Sequence, residues 1–137
     1  MSKKYWIVLF FIVSVFLIFF IFRGEVTYED KLQDLIGNED VEKIEISDST
    51  RSQIVTVENP KDLQNIISPS SKLSLEEYEG HHDPKNDYFL NLYTKESEYL
   101  IVVGSSTISR LPGATVYKVL GDNDLYETIT NIIDTNL

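Results

Sequence analysis

Residues 5–22 (YWIVLFFIVSVFLIFFIF) form an apolar run that opens at Tyr5 and closes at Phe22, with no charge and a single aliphatic hydroxyl, Ser14. At about 1.5 Å rise per residue, a helix over this stretch spans roughly 27 Å, close to the hydrocarbon thickness of a bilayer. Such a helix bonds its backbone polar groups within itself, as lipid demands of a crossing segment. The sequence therefore predicts a transmembrane helix at 5–22, a cytoplasmic tail at 1–4, and one small domain tethered behind the helix.

A cleaved secretory signal is the competing reading. It needs small residues just before the cut. A cut at Gly24 finds Phe22 two places upstream, and a cut after Thr27 finds Glu25 there. Neither fits, and the apolar run is longer than most signal cores. The chain has no cysteine, so a lipidated cysteine is not the anchor. Lys3, Lys4 and the amino terminus precede the run, whereas Arg23 is followed by Glu25, Glu29 and Asp30. Positive charge resists translocation, which predicts a cytoplasmic amino terminus and an extracytoplasmic domain in the cell membrane.

Charge then narrows the partners. Beyond Lys3, Lys4 and Arg23, residues 24–137 hold 9 bases and 22 acids, a net of −13. That surface repels phosphate backbones and anionic headgroups, which argues against nucleic acid and suits cations or a basic partner. A domain of this size buries a core without disulfides or metal staples. Lacking cysteine, it needs no oxidising compartment.

Periodicity divides the rest. Tyr28, Leu32, Leu35 and Ile36 make one apolar stripe, with Thr27 and Asp30 as a capping pair and Gly37 as the stop, so 23–37 is expected as a juxtamembrane helix. Residues 38–137 then form the extracytoplasmic domain. VEKIEIS and SQIVTVE alternate as strands around the polar turn at 48–51. Asn59-Pro60 opens a helix carrying Leu63, Ile66 and Ile67, which Pro69 ends. Strands are expected at 72–78, 87–94, 98–103, 107–111 and 114–120, the fourth and fifth joined by Pro112-Gly113. In the strand at 87–94 both alternating sets are largely apolar or aromatic, the mark of a strand covered on both faces. A last helix at 124–134, with Asp124 and Glu127 as its capping pair, presents Leu125, Ile129, Ile132 and Ile133. The fold class is α+β: an antiparallel or mixed sheet with helices packed on one face.

No arrangement of residues points to catalysis. The acidic loop Glu76-Glu77-Tyr78-Glu79-Gly80-His81-His82-Asp83 offers Glu77, Glu79, His81, His82 and Asp83 as candidate metal ligands, since imidazole suits zinc and clustered carboxylates suit calcium. Its spacing enforces no convergence, and a solvated loop is the favoured reading. Gly121-Asp122-Asn123-Asp124 lacks the glycine and distant glutamate of a calcium loop and reads as a helix cap. Gly104-Ser105-Ser106-Thr107 lacks the lysine and helix of a phosphate loop; a hydrolase there needs His81 or His82 beside Ser105 or Ser106. Tyr88, Tyr93, Tyr99 and Tyr117 are candidates for a sheet face open to a partner, with core or half-exposed sheet packing the more common explanation for such residues.

The segments VEKIEIS…IVTVENPKDLQNII, LNLYTKESEYLIVV and ATVYKVLGDNDLYETITNII, over residues 40–134, resemble the small membrane-anchored or lipoprotein cell-envelope proteins of Gram-positive bacteria. The likeness lies in the pattern of apolar positions, and the absence of a lipidated cysteine departs from it. It implies one α+β envelope domain and transfers no active-site residue. The expectation is a single-pass, non-enzymatic membrane protein. It has no cofactor and no small-molecule substrate, and its outer domain binds an envelope protein. A divalent-cation module on the acidic loop is the alternative, and a hydrolase the third reading.

Overall fold

The computed structural model describes residues 2–23, 26–50, 53–80, 86–111 and 113–136, without the side chains of 20–23. In chain order the elements are α1 (Lys3–Arg23), β1 (Val26–Thr27), α2 (Tyr28–Ile36), β2 (Lys43–Asp48), β3 (Ile54–Val57), α3 (Pro60–Ile67), β4 (Ser74–Glu77), β5 (Tyr88–Tyr93), β6 (Glu98–Val103), β7 (Thr107–Ser109), β8 (Val116–Leu120) and α4 (Asp124–Thr135). The strands form one sheet in the order β1-β4-β8-β7-β6-β5-β2-β3. Each neighbouring pair is antiparallel.

Register assigns the two faces. Residues directly opposite each other share a face, so the pairings Ile46↔Leu90↔Ile101 and Val103↔Ile108↔Tyr117 mark one side of the sheet. All six of these residues are buried. Against them lie Leu32 and Ile36 of α2, Leu63 and Ile66 of α3, and Leu125, Ile129 and Ile133 of α4, in one continuous core. The helices therefore cover a single face, as the α+β expectation has it, and the sheet is wholly antiparallel. The reverse side carries Ser47↔Phe89↔Val102↔Ser109↔Val116, each half-buried. β5 is thus covered on one face only, contrary to the expectation of two.

Local chemistry places the helices. Thr27 Oγ1 accepts from the Asp30 N–H (3.3 Å) at the start of α2, and Asn59 Oδ1 accepts from the Lys61 N–H (2.9 Å) ahead of Pro60. Tyr28, fully buried, donates from its hydroxyl to the Ile66 carbonyl at 2.9 Å, pinning α2 to α3. Burial, with Glu29 nearby, raises the Tyr28 pKa well above the ordinary phenol value. The final helix starts at Asp124 as expected, but its cap lies one residue before the expected capping pair. Asn123, not Asp124, is the cap, its Oδ1 accepting from the Tyr126 N–H at 3.0 Å.

The region expected as one helix at 23–37 is divided. β1 pairs with β4 at the sheet margin, and α2 begins only at Tyr28. Two residues are too few for any alternation to be read. In α1, every described side chain except Ser14 is exposed, including Phe10 (76%) and Phe16 (70%). The side chains described run from 3 to 19, roughly 25 Å of helix at 1.5 Å per residue. Among the described residues no helix is long and apolar enough to cross a membrane.

Candidate functional site

Antiparallel pairing gathers particular connections at one end of the sheet. β2 starts where β3 ends, through Ile44↔Val57, and where β5 ends and β6 starts, through Lys43↔Tyr93↔Glu98. The connector before β2 (Glu39, Asp40, Glu42), the residue after β3 (Glu58) and the β5–β6 turn (Lys95, Glu96) therefore meet there. The turn is tight. Thr94 N–H donates to the Ser97 carbonyl at 2.9 Å, and Thr94 Oγ1 accepts from the Ser97 N–H at 3.0 Å. The Glu39 carboxylate is held against this turn by the hydroxyls of Thr94 and Tyr99, which both donate to it. That bond to Glu39 raises the Tyr99 pKa, because it favours the neutral phenol.

Between this cluster and the helices runs a groove. Its central hollow, of about 510 Å³, has a floor of Ile36, Val41, Leu63 and Ile67 and is flanked by Glu39, Asp40, Glu42 and Glu58. A second hollow of about 290 Å³ continues it between α2 and α3 over Leu32, sharing Ile36, Gln64 and Ile67. A third, of about 400 Å³, continues it the other way to Glu96 and shares Glu39, Asp40 and Glu42. Beside the groove, α3 packs against α4, and the Tyr28 hydroxyl bond to the Ile66 carbonyl links α2 to α3. The groove thus combines an apolar floor with margins that are mostly acidic.

The residues singled out by sequence fall elsewhere. Glu77, the last residue of β4, and Glu79 are exposed; His81, His82 and Asp83 lie outside the described residues. Among the described residues no group of three or more such side chains is placed to hold a metal ion. Ser105 and Ser106 sit exposed in the β6–β7 turn, with both histidines outside the described residues. That turn has a structural role: Asn123 Nδ2 donates to the carbonyls of Gly104 (3.0 Å) and Ser105 (3.1 Å), tying it to the start of α4. Gly104 is required because a Cβ there would come within 2.6 Å of Asp87 Oδ1.

The tyrosines divide by register. Tyr88, Tyr99 and Tyr117 share the helix-covered side, Tyr88 and Tyr117 being buried. Only Tyr93 of the four lies on the open side. There its hydroxyl donates to Glu45 Oε2 at 3.0 Å, with Lys43 Nζ 4.5 Å from its ring centroid. Buried or half-buried sheet packing, the favoured reading of these four tyrosines, is what the structure shows, and the alternative of a tyrosine-lined open face is not formed.

No protein-family model, curated protein or solved structure matches this chain. The groove is the feature that sequence reasoning missed. Its carboxylates come from three separate connections, and a count of acids at strand ends was the only signal that pointed to them.

Proposed function

We propose that this chain is a single-pass membrane protein whose extracytoplasmic domain binds a protein partner of the cell envelope. One observation carries the reading: α1 exposes apolar side chains around its whole circumference, with no polar stripe to turn toward water. A helix apolar on all sides needs apolar surroundings on all sides. The uncharged sequence run at 5–22 supports a crossing segment, and its basic flanks suit an amino terminus kept in the cytoplasm. The domain follows directly, since α1 ends at Arg23 and the sheet begins at Val26. Such a tether holds the domain close to the bilayer, within reach of other envelope proteins. The α2–α3 groove supports binding as the activity.

Mild crosslinking of whole cells, followed by purification of the full chain in detergent, tests the proposal. A crosslinked species containing this chain and a different membrane or envelope protein is expected. Recovery of the monomer alone, at every growth stage, refutes it.

A further inference from the structure

We infer that the α2–α3 groove takes a cationic, amphipathic segment of a partner protein, its apolar side chains on the floor and its lysines or arginines on the rim. This inference rests on the binding role proposed above and adds the chemistry of the partner.

Two independent sources of negative potential converge on the groove. The first is side-chain charge. Glu29, Glu39, Asp40, Glu42, Glu58 and Glu96 line it, against Lys95 as the one basic residue among the described lining. Two other bases are engaged elsewhere, Lys43 with Glu45 and the Tyr93 ring and Lys31 over the Tyr117 ring. The second source is the backbone. Gly37 and Ser68, the C-caps of α2 and α3, line the same hollow. The carbonyl ends of two helices thus meet there, and neither helix has a basic residue in its last turn to offset them. A cation placed at this spot satisfies both helix ends.

The floor excludes a simple ion as the occupant. Leu32, Ile36, Leu63 and Ile67 form an apolar strip along the facing sides of two helices, and an apolar strip is recognised by apolar side chains at regular spacing. A second copy of this chain is a poor fit, since residues 24–137 carry a net charge of −13 and would repel their like. An anionic lipid headgroup is repelled in the same way. A segment alternating apolar and basic residues satisfies floor, rim and helix ends together.

The test places a benzophenone-bearing amino acid at Gln64, which is exposed and lines two of the three hollows, in the full chain in its own membrane. A parallel chain carries it at Val102 on the open face of the sheet. The expected result is an adduct from Gln64 to a partner segment rich in Lys or Arg and in apolar residues. Its yield should fall about tenfold in the double variant Glu42→Lys/Glu58→Lys, and fall again as salt is raised. Both glutamates are exposed, so the variant should fold normally, and an unchanged melting temperature verifies this. An adduct at Gln64 to lipid, to a second copy, or to an acidic or uncharged segment overturns the inference. So does a yield that ignores the double variant. An adduct at Val102 alone overturns the groove and leaves the tethered-binder proposal standing. Adducts at neither position overturn both.

Discussion

The two faces of the sheet are made from the same strands and have opposite energetics. On β6, Ile101 and Val103 point into the helix layer and are fully buried, while Leu100, on the other side, keeps 36% of its surface exposed. Phe89, Val102 and Val116 stand in one row with Ser109 and are half-buried. The covered face specifies the fold, since moving any strand by one residue would turn its buried set to solvent. The open face tolerates change. The groove proposed for partner binding lies on neither, but at the sheet end beside α2 and α3.

The largest effect that separates the faces is truncation of adjacent residues on one strand. Ile101→Ala should destabilise the domain by about 2–5 kcal/mol through lost burial and the cavity left behind. Val102→Ala should cost about 1 kcal/mol or less, its side chain being only half-buried. Urea unfolding of the full chain in micelles, followed by tryptophan-independent circular dichroism, measures both. Equal losses would break the distinction between the faces.

A smaller effect comes from the pin between the covering helices. Tyr28→Phe removes the hydroxyl bonded to the Ile66 carbonyl and should cost about 1–2 kcal/mol in the same assay. It should also loosen the α2–α3 groove, lowering the Gln64 adduct yield. A change within error would mean that packing alone holds α2 against α3.

The smallest effect lies on the open face and appears only in alkali. The hydrogen bond to Glu45 is the main cause that pushes the Tyr93 pKa up from 10.0 to about 12. The folded state therefore favours the neutral phenol. This contribution is fully present below pH 10 and is lost as pH rises through about 12. Glu45→Gln should move the Tyr93 midpoint back toward 10, read by phenolate absorbance with Tyr93→Phe as the blank. A midpoint that stays high would assign the shift to another cause.

Much of this organisation was legible in the residues. Alternation in KIEIS and the cap Asn59-Pro60 located β2 and α3 because each uses a strong local signal. β5 was harder: in YFLNLY both sets are largely apolar or aromatic, and only pairing with β2 and β6 decides which side is covered. Asn123 and Asp124 are both good caps, and contact with the Gly104 turn chose between them. The groove was invisible for a different reason. Glu42, Glu58 and Glu96 are far apart in sequence and meet only because β2 is inserted between β3 and β5.

The membrane tether is tested most directly by washing isolated membranes at alkaline carbonate pH, which strips peripheral proteins and retains spanning ones. The chain should remain wholly in the pellet, with its amino-terminal residues intact. Release of the chain into the supernatant, or recovery of a mature form beginning after Arg23, would contradict it.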